Sequence, residues 1–170
     1  MAGSYNNSII GFTDTERQAD VYPTLTALKC FFAHMAAPGL LSPESMRDGR
    51  QGTAEFFGLG GEKLGSLIKS LSEREREELA RDVQRFLPSF SAVLPKVTRL
   101  GQVRLEVQET YGDRTIHVSP ANISDGVLRM IALCSLRFLN NDGGAVLLNE
   151  IEDGINNEHM ELLVDTLRRA

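Results

Sequence analysis

The segment from Ser124 to Leu148 constrains the fold more than any other stretch. From Val127 to Leu139 nearly every residue is apolar, with Arg129 and Arg137 as the charged interruptions, so the pattern predicts a helix buried on most sides. Ser124 has the chemistry of its N-cap, and Asn140, Asn141 and the Asp142-Gly143-Gly144 turn end it. Directly afterwards comes AVLL, Ala145 to Leu148, a short continuous apolar run of the kind found in a strand covered on both faces. That strand delivers Asn149, Glu150 and Glu152 at its C-terminal tip. Beyond Gly154, Asn156 reads as a cap, and Met160, Leu163, Val164 and Leu167 recur at helical spacing. Helix, buried strand, acidic tip, helix is an α/β order.

The preceding part of the chain divides in two. Residues 1–60 carry a helical or extended apolar segment from Val21 to Met35, then a Pro/Gly-rich connection through Pro38, Gly39 and Pro43. Residues 61–122 read as a helical region followed by a hairpin. A short helix is expected from Gly61 to Leu71. Ser72 opens a second, because Glu75 three residues later completes a capping box. Leu79, Ala80, Val83, Phe86 and Leu87 share one face of it, arginines and glutamates occupy the rest as a solvated surface, and Pro88 ends it. Val103, Leu105 and Val107 then alternate with polar residues, and a Tyr111-Gly112-Asp113 turn leads to Ile116 and Val118. This is a half-buried hairpin.

A chain of 170 residues with 42% hydrophobic content can bury one core, so a single domain over 1–170 is expected. Its apolar stretches fall short of the roughly 20 residues that a bilayer requires, and MAGSYNNSIIGF lacks the features of an export signal. A cytoplasmic location is the expectation. Cys30 and Cys134 fit no metal or redox spacing and read as reduced, packed thiols. The net charge of −5 gives no support for DNA contact.

Acids at the carboxyl tip of a strand in an open α/β sheet look into the crevice where ligands bind. The bare amino end of a buried helix offers unpaired amides and the positive end of a dipole, about half a charge, which attracts phosphate oxygens. In ISDG, Ser124 adds a hydroxyl and Gly126 lets a phosphate approach the backbone. A carboxylate at such a strand tip can orient a water or hold Mg²⁺. The ligand these residues point to is a polyphosphate.

ISDGVLRMIALCSLRFL followed by AVLLNEIEDGINNEHMELLVDTL resembles the C-terminal part of ABC-type ATPases of the RecF, OLD and SMC kind. In those proteins an LSGGQ-like signature precedes a long helix and a Walker B strand, and the small AAA-labelled members carry patterns similar to LSDGTLR and LLIEEPENGLHP. Ser124, Asp125, Gly126 and Arg129 match the signature; Glu150, Glu152 and Gly154 match the Walker B motif and D-loop. GEKLGSLIKSL and FLPSF resemble the helical insert before the signature. The resemblance implies a partial P-loop NTPase core that binds ATP and Mg²⁺ in a sandwich between two facing heads. Ser124, Asp125 and Gly126 would contact the γ-phosphate in trans, and Glu150 would be the catalytic base. Asn149 stands where an Mg²⁺-linked acid is usual, so it would meet the metal only through water. Ile151 replaces a common proline, and Asn156 falls where histidine is frequent.

No G-x-x-x-x-G-K-[ST] occurs. GLGGEKLG, Gly58 to Gly65, is a decoy: Lys63 follows Glu62, and no Ser or Thr follows it. The expectation is a C-terminal lobe whose N-terminal Walker A lobe comes from outside these residues. Two functions follow. One is an ATPase head acting as a homodimer or with another head, coupled to a nuclease or effector in DNA repair or phage defence. The other is a catalytically incomplete module that docks on a complete ATPase. His34, His117 and His159 read as side chains without a catalytic role, the last two facing solvent. Arg129 reads as either a bridge to a facing subunit or a structural ion pair.

Overall fold

The computed structural model describes residues 22–33, 41–52, 54, 56, 58–139, 146–148, 151 and 156–168. The chain separates into two compact units, Met1–Ala37 with Asn141–Leu147, and Pro38–Asn140 with Leu148–Ala170. In the first, Pro23 begins helix α1, Pro23–Ala33, within the apolar segment expected to be helical or extended. Proline suits a first turn because the amide it lacks would be unpaired there.

The second unit starts with α2, Pro43–Asp48, so Pro43 opens a helix and is not part of a connection. Ser42 caps it by accepting from the Ser45 amide at 3.2 Å, and Gly49 closes it at φ 65°. Helix α3, Leu64–Ser70, runs through the interior with Leu64, Leu67 and Ile68 buried. Helix α4, Glu73–Gln84, starts with the expected reciprocal capping box of Ser72 and Glu75 and buries Leu79, Ala80 and Val83. It stops four residues before Pro88, with Arg85 as its C-cap.

Three antiparallel strands follow in the order β1-β2-β3: β1 is Phe90–Val97, β2 Val103–Tyr111 and β3 Arg114–Val118. The sequence pattern hid β1, of which only the first residue, Phe90, falls in the FLPSF stretch that resembles a helical insert. A bulge between Phe90 and Ala92 puts the buried Phe90 and Val93 three residues apart, which breaks the period of two. Pro95 further masks the strand and is tolerated because β1 lies at the sheet edge. The β2–β3 hairpin forms as expected, with Tyr111 opposite Arg114 and Gly112 at φ 58°. Its burial is one-sided: Val103, Leu105 and Val107 are sealed, whereas Ile116 is 50% exposed. Helices α3 and α4 pack on the sheet, so the core gathers Phe90, Leu105 and Val107 with Ile68, Leu79 and Val83.

Helix α5, Asp125–Ser135, lies against α4, and a 3₁₀ turn, Leu136–Phe138, extends it. Leu128 and every residue from Met130 to Leu136 are buried, as the apolar run predicts. A second 3₁₀ turn, Asn157–His159, leads into α6, Met160–Leu167. Leu163 is buried there, but Val164 is 40% exposed and Thr166 takes the inward position.

The fold is mixed α/β, with six α-helices and one antiparallel sheet among the described residues. The strand expected at Ala145 to Leu148 is a correction. Ala145 is outside the described residues, Val146 makes an isolated bridge, Leu147 and Leu148 are irregular, and Leu147 is 55% exposed. Leu147 and Leu148 do not continue the pairing that Val146 begins, so among the described residues the run is not a strand. Among the described residues no helix is long and apolar enough to cross a membrane.

Candidate functional site at the amino end of α5

Ile123 is buried, whereas Ser124 and Asp125 are exposed and Gly126 is half-buried. The polar turn therefore sits at the surface while the helix it begins enters the core. Ser124 holds the N-cap position with extended backbone, and its Oγ accepts from the Val127 amide at 3.4 Å. The first amides of a helix have no acceptor one turn earlier. With Val127 capped, those of Asp125 and Gly126 remain unclaimed among the described residues. Among the described residues the Ser124 hydroxyl proton has no acceptor, since the cap uses only its oxygen.

Arg47, near the end of α2, reaches this turn from 76 residues away. Its Nη2 donates to the Ile123 carbonyl at 2.7 Å and to Asp125 Oδ1, with which it forms an ion pair. The Asp125 carboxylate thus faces a guanidinium beside the helix terminus. Nothing local in the sequence marks Arg47; the signal is purely tertiary.

A cleft of about 230 Å³ adjoins the turn. Ser124, Gly126, Asn156 and His159 contribute its polar edge, and Val83, Phe86, Leu87 and Met130 its apolar lining. His159 is half-buried, not solvent-facing as expected, because its ring meets Phe86 edge-on at 5.8 Å and 86°. Asn156 Oδ1 accepts from the Glu158 amide at 3.3 Å, the capping role its position predicts. His117 is exposed on the hairpin, with Nδ1 2.6 Å from Glu106 Oε1 and Nε2 3.1 Å from Gln108 Nε2. Cys134 is a free, buried thiol.

Of the residues singled out by sequence, Ser124, Asp125 and Gly126 are brought together on one turn. Asn149, Glu150, Glu152 and Gly154 lie outside the described residues, as do His34 and the Cys30 side chain. No group of three or more His, Cys, Asp or Glu side chains able to hold a metal occurs among the described residues.

The glycine-rich decoy is a packing device. Gly58 and Gly61 take φ values of 87° and 88°, and a Cβ on Gly65 would lie 2.4 Å from the Val103 carbonyl oxygen. Glu62 Oε2 accepts from the Gly60 amide at 2.9 Å. Partial burial pushes the Glu62 carboxyl up, but the Glu62 and Gly60 amides, with Arg50 and Lys63 nearby, hold it below its ordinary value. A carboxylate occupying the loop amides leaves them no phosphate to wrap. No family model, curated protein or solved structure matches the chain.

Proposed function

We propose that the amino end of α5 is the signature face of an ABC-type ATPase head, contacting the terminal phosphate of ATP held by a facing head. The observation that carries this reading is the exposed Ser124–Gly126 turn at the start of a helix whose body is buried. Two amides and a hydroxyl proton that no described residue claims, with the positive helix end, form a donor set suited to phosphate oxygens. The pairing of Asp125 with Arg47 supports it further, since a lone carboxylate there would repel a polyanion.

In this reading the chain is the C-terminal lobe of a partial P-loop NTPase core, working as a homodimer or against another head. The Walker A lobe comes from outside these residues, and a nuclease or effector is the coupled partner. ATP supplies the γ-phosphoryl group. Ser124, Asp125 and Gly126 would orient it in trans from their helix end, Glu150 would polarise the attacking water on its own subunit, and Asn149 would meet Mg²⁺ only through water. Positioning and charge account for most of the rate in such a transfer.

The cleft lining favours a second reading. Val83, Phe86, Leu87 and Met130 make its interior apolar, which suits insertion of a side chain from a complete ATPase on which this chain docks without hydrolysis of its own.

Photolabelling with an ATP analogue bearing an aryl azide on the γ-phosphate tests the first reading. Label is expected between Thr115 and Arg129, and in Ser124→Arg, where a new trypsin site cuts that stretch in two, it is expected to be lost from both pieces. Label confined to other peptides, or unchanged in Ser124→Arg, contradicts it.

A further inference from the structure

We propose that Arg47 is a positioning residue for this face: it fixes the Ile123–Gly126 turn and offsets the Asp125 charge so that a terminal phosphate can approach the α5 amides. The inference rests on reading the turn as a phosphate face. Arg47 is dedicated to the turn. Among the described residues its acceptors are the Ile123 carbonyl and the Asp125 carboxylate, and its buried Nε has none. Its base is anchored, because α2 is capped by Ser42, closed by Gly49 and pinned by the buried Met46.

The two bonds do different work. The bond to Ile123 holds the last peptide before the cap, which sets the direction in which the amides of Asp125 and Gly126 point. The bond to Asp125 concerns charge. A first-turn carboxylate favours the helix itself but competes with any anion for the same amides. A neutralising guanidinium separates these effects: the acid stays at the helix end while the field at the turn stays favourable to phosphate.

The test titrates sodium tripolyphosphate into the full chain and follows the Gly126 and Val127 amide resonances. Removal of the cation in Arg47→Met is expected to weaken binding about 5- to 10-fold, the size of one unscreened charge at contact distance in a water-like medium. Arg47→Gln retains a hydrogen-bond donor without charge, and the same loss is expected. Adding Asp125→Asn to either variant is expected to bring affinity back to within about threefold of wild type. Unchanged affinity in both Arg47 variants overturns the inference. A loss that Asp125→Asn does not relieve also overturns it, because Arg47 would then be only a brace. Absence of any tripolyphosphate-dependent shift in the wild-type chain has a different signature: it overturns the phosphate face itself and the role of Arg47 with it.

Discussion

Arg137 Nη1 donates to Asp82 Oδ2 at 2.6 Å, and its Nη2 lies 3.4 Å from Glu78 Oε2, joining the end of α5 to α4 across 55 residues of sequence. The Asp82 side chain is only 14% exposed. Cutting the pair from the arginine side strands a nearly buried carboxylate, whose desolvation is then uncompensated. Arg137→Met is expected to cost about 1–3 kcal/mol, read as a lower urea midpoint with an unchanged slope. An unshifted midpoint contradicts this.

Cys134 lies one turn before the Arg137 clamp. Burial pushes its thiol up to about 12, the negative field of Asp82 adds to this, and Arg85 and Arg137 oppose it. The folded value is above the ordinary one, so the unfolded chain releases the proton first. The corresponding stability is fully present below the ordinary thiol value and declines as pH rises from there toward about 12. Equilibrium unfolding at mildly alkaline and strongly alkaline pH should show this decline, and Cys134→Ala should reduce it. In a Cys30→Ser background the native protein should resist a thiol reagent and react on unfolding. Rapid native labelling contradicts burial.

Gly49 and Gly65 both press on one carbonyl. An added Cβ would sit 2.1 Å and 2.4 Å, respectively, from the Val103 oxygen, and backbone cannot yield as a flexible side chain does. Gly65→Ala is expected to cost about 2 kcal/mol or more. At Gly112 the φ of 58° suits asparagine, and nothing lies within 4 Å of the added carbon. Gly112→Asn should therefore be nearly neutral. Thermal midpoints of the two variants give the comparison, and equal losses would contradict it.

The Ser72 side chain and amide hold the Glu75 carboxyl below its ordinary value. A depressed value contributes stability above the ordinary carboxylate range that is lost as pH falls through the folded one. Ser72→Ala should return Glu75 upward in a carboxyl titration followed by NMR; an unmoved titration contradicts the capping box.

What was legible in the sequence was local. The Ser72–Glu75 box, the Ser124 cap, the Gly112 turn and the apolar body of α5 each depend on residues within a few positions, where spacing translates directly into geometry. Strand β1 was hidden because its bulge removed the alternation and Pro95 resembled a breaker. The Ala145–Leu148 run looked like a strand, yet among the described residues continuous apolarity does not extend the single bridge at Val146. The Ser124–Gly126 part of the site was readable, but Arg47 was not. Its acceptors lie 76 and 78 residues away, and no local pattern records such a contact. His159 was misplaced for the same reason, since Phe86 draws its ring inward from another element.

The central claim is that the amides at the start of α5 receive a phosphate terminus. The direct measurement is a titration of the isotope-labelled chain with Mg-ATP, following every backbone amide. Saturable shifts concentrated at Ser124 to Val127, and abolished by Ser124→Arg, are predicted. Saturable shifts centred on the β2–β3 hairpin or the Gly58–Gly65 stretch, with the Gly126 amide unmoved, would contradict the account.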